Sequence, residues 1–174
     1  MTAPLQDGSD AGVRRSARGR RARVSDPFRF DKALLDDLPA ETSLRPDVLR
    51  CLAGTDEAGR GCLAGPLVAA AVVLDYRRAS FSDLKGLTDS KLLSCAARES
   101  LFQVIMRVAA QVTWASCSPA TIDSDGLHRS NLAALARALE LLGGRYRVAV
   151  VDGFDLKRAD LRARGVVGAD FKSA

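Results

Sequence analysis

The sequence predicts an α/β domain in which helices flank a mixed sheet. From residue 51 onward, short apolar runs bounded by glycine and proline alternate with longer segments of helical periodicity. The chain has 174 residues and is 47% hydrophobic, which is enough for one core of ordinary size. Because strands and helices alternate, a layered arrangement is the simplest way to bury their apolar faces.

The first predicted elements are two strands, Leu52–Asp56 and Pro66–Leu74, joined by a tight turn as a hairpin. A helix is expected after Ser90, and residues 111–117 have a strand pattern that places Trp114 in the core. The helix is indicated by apolar residues at helical spacing, namely Leu93, Ala97, Leu101, Val104 and Val108.

A second helix and two further strands complete the pattern. This helix spans the segment "SNLAALARALELLGG", with Ser130 as its expected N-cap and Gly143 and Gly144 as its stop. Val148–Val151 is expected to be a buried strand, and Gly165–Gly168 the start of another.

Composition narrows the classes of function. A net charge of +5 favours a polyanionic partner. The four cysteines form no C-x-x-C pair, so a structural zinc site is not expected and the thiols are expected to be reduced. Since the sequence shows neither a membrane-spanning run nor a secretory signal, we expect a cytoplasmic protein that does not bind membranes.

Residues 1–50 are predicted to form a basic, flexible N-terminal arm ahead of the domain at 51–174. Six arginines and no acid lie within residues 11–25, and prolines interrupt the mixed charges that follow. The arm could attach to phosphates, or it could be a solvated extension or a misassigned start, and the sequence leaves these alternatives open.

Three carboxylates are the candidate chemical groups. Asp56 and Glu57 would face opposite sides of a regular strand, so they can serve one site only if the strand ends or bulges there. Asp152 ends an apolar strand directly before Gly153, where open α/β sheets place ligands. His128 is expected at the surface or at a helix start, so the sequence offers no histidine base. Three carboxylates without such a base fit a site for a hard divalent cation.

The sequence contains five blocks in a fixed order: "GTDEAGRGCLAGPLVAAAVVL", "GLTDSKLLSCAARESLF", "SPATIDSDGLHRSNLAALARAL", "VAVVDG" and "VVGADFKSA". Together these blocks resemble bacterial ribonuclease HII. The resemblance covers about residues 51–174 and implies a ribonuclease H-like fold. It also implies a monomeric endonuclease that cuts the RNA strand of RNA–DNA hybrids and cuts at ribonucleotides embedded in duplex DNA, leaving 5′-phosphate and 3′-hydroxyl ends.

The resemblance also implies a role for each matching residue. The three carboxylates would be catalytic ligands of Mg²⁺ or Mn²⁺, a glycine–arginine–glycine turn would contact the ribonucleotide 2′-hydroxyl and its phosphate, and two further pairs would hold the substrate backbone. The carboxylates are Asp56, Glu57 and Asp152, and the turn is Gly59, Arg60 and Gly61. The two pairs that would hold the backbone are Ser90 with Lys91 and Lys172 with Ser173. Alternatively, Ser90 is a helix cap and Lys91 is solvated.

The chain departs from the family pattern at three places. Cys62 stands where the family commonly has proline, and Ala169 where it commonly has glycine. Asp170 is expected to be structural. The family continues beyond the last block with a fourth catalytic acid and a substrate-packing tyrosine, so we expect the C-terminal part of the fold to be missing here. The alternative function is then a weak or inactive remnant that only binds nucleic acid.

Overall fold

A mixed five-stranded sheet forms the centre of the molecule. The computed structural model describes residues 27–78, 81–84, 86–169 and 172–174. Strands follow the order β3-β2-β1-β4-β5; β1, β2 and β3 pair antiparallel, whereas β4 runs parallel to β1 and β5 parallel to β4. The elements are α1 (Pro27–Asp36), β1 (Cys51–Ala58), β2 (Leu67–Asp75), α2 (Cys95–Val108), β3 (Gln111–Cys117), α3 (Pro119–Asp125), α4 (Leu127–Leu141), β4 (Val148–Asp152) and β5 (Ala163–Val166).

The sheet separates two apolar clusters, and we name its faces after the helices that cover them. Strand alternation directs Ala53 and Val151 to the α4 face, where they pack with Leu135 and Leu139. The neighbouring strand residues lie on the α1 face, in a cluster that includes Leu35 of α1. The α/β sheet with helices on both faces is therefore confirmed.

The α4 helix packs tightly but begins earlier than predicted. Leu127 is its first residue and Gly126 its N-cap, whereas Ser130 lies buried inside the helix. The expected Ser130 cap is therefore wrong. The reason is that the apolar face of α4 extends through Ser130, and a separate short helix, α3, precedes it with Ser118 as the cap.

The hairpin of β1 and β2, the strand at 111–117 and the strand before Gly153 are confirmed, but residues 59–66 connect the two hairpin strands, which is longer than the expected tight turn. Two other bounds differ from expectation. One 3₁₀ turn, Ser90–Leu92, precedes α2, which Ser94 caps by accepting a hydrogen bond from Ala97. The last strand, β5, begins two residues before Gly165 and ends at Val166.

Residues 27–50 pack onto the sheet and do not form a free arm. In α1, Leu35 has no exposed surface, and Phe28 stacks on Phe81 with their ring centroids 4.9 Å apart. The Arg147 guanidinium donates to the carbonyl oxygens of Leu35 and Leu38 at 3.1 and 2.8 Å. The prediction of a flexible arm therefore fails for these residues, because α1 supplies apolar side chains to the core. The arginine-rich segment lies outside the described residues.

Trp114 is a further correction to the predicted core. Its side chain is on the α1 face of β3, the edge strand, where it pairs with exposed Ala70, and the residue is 65% exposed. The strand prediction was right, but an edge strand leaves this part of the face uncovered. Within the described residues, no helix has the length and apolar character needed to cross a membrane.

Candidate active site

Two of the predicted carboxylates lie side by side on adjacent parallel strands. The β1–β4 ladder pairs Thr55 with Val151, so the next residues along the two strands are Asp56 and Asp152. Both follow the alternation that directs Val150 to the α1 face. The structure thus brings Asp56 and Asp152 to one face at the carboxyl ends of neighbouring strands.

Electrostatic crowding is evident at Asp56. Its pKa is raised above the ordinary value, chiefly because neighbouring atoms displace water from the carboxylate although the residue as a whole is exposed. The charges of Glu57 and Asp152 raise the pKa further, whereas a backbone hydrogen bond from Glu57 and the charge of Lys91 lower it. A second positive charge close to these acids would therefore be favourable.

Asp152 is half-buried and fixed by the backbone. Its Oδ1 accepts a hydrogen bond from the Ala169 amide at 2.8 Å. Ala169 is one of the positions that depart from the family pattern, and here its backbone, not its side chain, makes the contact. The remaining carboxylate lone pairs are available to a ligand on the α1 face.

Glu57 lies on the face of the sheet opposite to Asp56 and Asp152. Pairing remains regular to the end of β1 at Ala58, opposite Val68, so the strand does not bulge and alternation places Glu57 on the α4 face. Its side chain is 11% exposed, and its Oε1 lies 3.7 Å from Nη1 of Arg60. The strand therefore ends near the acids without a bulge, and Glu57 adjoins Asp56 in sequence but not on the same face.

Within the described ranges, no cluster of three or more histidine, cysteine, aspartate or glutamate side chains has a spacing that could hold an ion. Magnesium usually binds proteins through only one or two carboxylates and completes its shell with water and substrate phosphate. The Asp56–Asp152 pair fits that mode, and its oxygen ligands suit a hard cation.

The turn after β1 contains two glycines with different requirements. Gly59 has a φ of +99°, and a Cβ there would lie 2.6 Å from the Pro66 carbonyl oxygen, so the fold itself requires glycine. Gly61 is exposed, and a Cβ there would meet no atom within 4 Å. Nothing in the described fold requires a glycine at position 61.

Arg60, between these glycines, packs its guanidinium against an aromatic ring. Its guanidinium carbon lies 4.8 Å from the Phe154 ring centroid, and its side chain is 42% exposed. Phe154 also contacts His128, with ring centroids 5.9 Å apart. His128 is exposed at the second position of α4, as expected for a residue at a helix start.

Lys91 lies on the Ser90–Leu92 turn, close enough to lower the pKa of Asp56. The turn is capped by Asp89, whose Oδ1 accepts from the Lys91 amide at 3.0 Å, so the alternative that Ser90 is the cap is wrong. Arg98 also donates to the Ser90 carbonyl at 3.2 Å. The Lys91 side chain is 79% exposed, and its ammonium lies 3.9 Å from Asp89.

The lysine and serine of the last block behave differently. Lys172 is exposed, and its Nζ donates to the Val167 carbonyl at 2.8 Å. The Ser173 hydroxyl instead donates to Oδ1 of Asp31 at 2.6 Å, which directs it into the protein. Asp170 lies outside the described residues.

The chain is similar over most of its length to known proteins of one family. The model of the ribonuclease HII family matches residues 53–171. Ribonuclease HII of Brucella suis (strain ATCC 23445 / NCTC 10510) is 44% identical over 138 residues, or 79% of this chain and 60% of that protein. That of Chelativorans sp. (strain BNC1) is 43% identical over 148 residues, or 84% of this chain and 57% of the relative.

The chain belongs to the ribonuclease HII family. It spans about three fifths of the length of these curated relatives.

Several solved structures share the fold. Archaeoglobus fulgidus ribonuclease HII, solved as a complex with PCNA, is 28% identical, with a TM-score of 0.58 over 70% of this chain and 65% of that chain. Ribonuclease H2 of Pyrococcus horikoshii OT3 is 27% identical, with a TM-score of 0.51 over 70% and 64%. Bst-RNase HIII, at 19% identity and a TM-score of 0.50 over 78% and 53%, supports the fold alone. The ribonuclease H-like fold is therefore confirmed.

Two residues of this ribonuclease HII family member were not predicted from the sequence. Asp31 has no exposed surface, and Phe154 supports Arg60. The spacing of Phe28, Asp31 and Leu35 along "PFRFDKALL" places them on one side of a helix, which could have marked Asp31 as buried. No comparable local pattern marks Phe154, because its partner is distant in sequence.

Proposed function

We propose that this chain acts as an endoribonuclease on RNA–DNA hybrids and on duplex DNA that contains a ribonucleotide. The observation that carries the proposal is the pairing of Asp56 and Asp152 on one face, beside the turn formed by Gly59, Arg60 and Gly61. Family membership supports hydrolysis of a phosphodiester bond. The raised pKa of Asp56 supports a site that receives a cation.

Asp56 and Asp152 would hold Mg²⁺ or Mn²⁺, with Glu57 as a neighbouring acid. When bound, the metal would supply an activated water and stabilise negative charge on the phosphate oxygens. Bst-RNase HIII was solved in complex with Mn²⁺, but the proposal for this chain rests on its own carboxylates. Asp152 would keep its orientation through the Ala169 amide.

The turn after β1 would recognise the ribose. Gly61 leaves its surroundings open, so a sugar could approach the backbone closely, and the 2′-hydroxyl is the group that distinguishes RNA from DNA at one nucleotide. Arg60, Lys91 and Lys172 are exposed cations that would contact phosphates without reading the bases. This allocation predicts cleavage that depends on one ribose and not on base sequence.

The experiment uses the purified chain, freed of host nuclease, and a DNA duplex with a single ribonucleotide. With Mg²⁺ or Mn²⁺ we expect 5′-phosphate and 3′-hydroxyl ends, and no cut in all-DNA duplex. Asp56→Asn and Asp152→Asn should each lower the rate by about a hundredfold or more, because metal stabilisation is worth several kcal/mol. The matched control is Asp37→Asn, which removes an exposed acid just beyond α1.

Gly61→Ala tests the ribose contact separately from folding. Since a Cβ at this position meets nothing in the protein, we expect unchanged thermal unfolding but roughly tenfold weaker cleavage at the ribonucleotide. Gly59→Ala should instead destabilise the fold by about 1–3 kcal/mol, through backbone strain and the contact with Pro66. Full activity of the Gly61 variant would exclude close approach of the sugar at this residue.

A second candidate function is binding without cleavage. It is favoured by the finding that, in the part of the chain that the structure describes, only two of the three predicted acids share a face and no group of three could hold an ion. Under this alternative, the chain would bind hybrid and ribonucleotide-containing duplexes, but metal would produce no products. Metal-dependent cleavage that is lost in Asp56→Asn would eliminate it.

A further inference from the structure

A buried carboxylate on α1 is bonded to the last residues of the chain. Asp31 has no exposed surface, its Oδ1 accepts from the Ser173 hydroxyl at 2.6 Å, and its Oδ2 accepts from the Ala174 amide at 3.0 Å. The hydroxyl of buried Tyr76 also donates to Oδ2. A carboxylate is kept in the interior only when such donors replace the water that it loses.

The residues held by Asp31 are in turn bonded to the candidate site. The carbonyl oxygen of Ala169 accepts hydrogen bonds from the amides of Lys172 and Ser173, at 2.8 and 2.9 Å. The amide of the same Ala169 donates to Oδ1 of Asp152 at 2.8 Å. A continuous series of hydrogen bonds therefore runs from α1 to the carboxylate that β4 presents on the α1 face.

This segment also lies directly over the strand that carries Asp56. A Cβ on Gly54, two residues earlier and on the same face, would lie 3.6 Å from the Ala174 carbonyl oxygen. The residues that Asp31 fixes thus pack against β1 as well as holding Asp152. Their placement affects the surroundings of both acids.

We propose that Asp31 is a positioning residue for Asp152, acting through Ser173, Ala174 and the backbone of Ala169. The inference rests on the proposed function, because it concerns the metal-holding carboxylate of that site. Asp31 itself touches neither substrate nor metal. Outer contacts of this kind fix the direction of a ligand's lone pairs, and their loss weakens metal binding roughly tenfold to a hundredfold.

Asp31→Asn is the direct test, because asparagine keeps the size of the side chain but removes its negative charge and one of the two acceptor oxygens that the Ser173, Ala174 and Tyr76 donors use. We expect the Ala169 amide to exchange with solvent roughly tenfold faster and the affinity for Mn²⁺, measured by calorimetry on the whole chain, to fall about tenfold. Asp37→Asn, on the exposed side just after α1, should change neither quantity. Cleavage by Asp31→Asn should recover when the Mn²⁺ concentration is raised.

A purely structural Asp31 would produce a different result. In that case Asp31→Asn would lower the thermal unfolding midpoint, while the folded protein kept wild-type Mn²⁺ affinity and wild-type exchange at Ala169, and the proposal would be wrong. If Asp31→Asn does not fold, Ser173→Ala decides the question, since it removes one bond of the series, and the same two measurements apply.

Failure of the proposed function would be visible separately. If the wild-type chain binds Mn²⁺ but does not cleave, the endonuclease proposal fails, whereas the effect of Asp31 on Mn²⁺ affinity is still measured. If the wild-type chain binds no Mn²⁺, the exchange rate of the Ala169 amide decides alone, because that measurement requires no metal. Unchanged exchange in both variants would then overturn the positioning role.

Discussion

The two ends of the β1–β2 ladder carry acids in opposite situations. At one end, where Cys51 pairs with Asp75, the Asp75 carboxylate is buried and Arg77 donates to it through Nε at 2.9 Å and Nη2 at 2.6 Å. Near the other end, Asp56 has the acids Glu57 and Asp152 as charged neighbours, and the charge of Lys91 offsets them only in part. Two aspartates on one hairpin thus differ in how fully the protein supplies the compensating charge.

The pKa directions express this difference. The hydrogen bond from Arg77 is the main reason that the pKa of Asp75 lies below its ordinary value. Displaced water and neighbouring acids hold the pKa of Asp56 above it. A carboxylate that the fold compensates contributes to stability, whereas an incompletely compensated carboxylate at a strand end would gain from a nearby cation.

Exchanging each acid for its amide should change the free energy of unfolding differently at the two ends. We expect Asp75→Asn to lower the free energy of unfolding by about 1–2 kcal/mol, since it weakens charge-assisted hydrogen bonds whose partner Arg77 is half exposed. Asp56→Asn should leave the unfolding free energy equal or slightly higher, because it removes crowded charge. Urea unfolding of both variants near neutral pH measures the two values.

The cleavage rates of the two amide variants should differ in the opposite way to their stabilities. Asp75→Asn should retain the cleavage rate per folded molecule that Asp56→Asn loses, because Asp75 lies at the end of the ladder far from Asp152. A comparable loss of cleavage in both variants would show that the two ends do not differ in the way that the pKa directions indicate.

The pH dependence of stability should have opposite signs at the two ends. The Asp75 contribution is present above the ordinary pKa of 3.8 and is lost as pH falls through the lower folded value. Asp56 has a folded pKa above 3.8, so its charge is unfavourable at higher pH and the protein gains stability as pH falls through that value.

Unfolding of wild type and of each amide variant, followed without added metal from about pH 7 to about pH 3, isolates these terms. The stability advantage of wild type over Asp75→Asn should shrink toward the acidic end. The deficit of wild type relative to Asp56→Asn should shrink at a somewhat higher pH. Two curves that bend in the same direction would contradict the assignment.

The sequence predicted most of the sheet because its signals are local. The hairpin, β3 and β4 follow from apolar runs and their bounding glycines, and the placement of Asp152 beside Asp56 follows from parallel strands whose carboxyl ends meet. The helix α1 was missed because arginines and prolines nearby suggested an unpacked segment. Its burial depends on distant partners such as Arg147, which no local pattern shows.

The site was predicted less completely than the fold, for related reasons. Residue types and family blocks identified the acids, but the direction of Glu57 depends on whether β1 remains regular to its end, which the sequence left open. The inward direction of the Ser173 hydroxyl depends on Asp31, 142 positions away. Long-range hydrogen bonds of this kind become visible only when the chain is folded.

The smallest expected effect concerns the arginines at the two ends of the β1–β2 ladder. Arg77 is fixed to Asp75 by short hydrogen bonds. Arg60 instead lies 3.7 Å from Glu57 and over the Phe154 ring, so its orientation is restricted without a short hydrogen bond to an acid. A loosely held guanidinium can turn toward a phosphate at little cost. Phe154 would then limit the orientations that Arg60 samples.

Phe154→Leu should accordingly weaken binding of the ribonucleotide-containing duplex only about two- to fivefold, since a cation–π contact at an exposed site is worth about 0.5–1 kcal/mol. Phe154→Tyr, which keeps an aromatic face, is the matched control and should bind like wild type. Combining Phe154→Leu with Arg60→Ala closes a double-mutant cycle, because the leucine change should have little effect once the guanidinium is gone. Additive losses in the double variant would mean that Phe154 acts on folding or on the substrate directly, and that Arg60 is oriented at this end of the ladder by Glu57 without the ring.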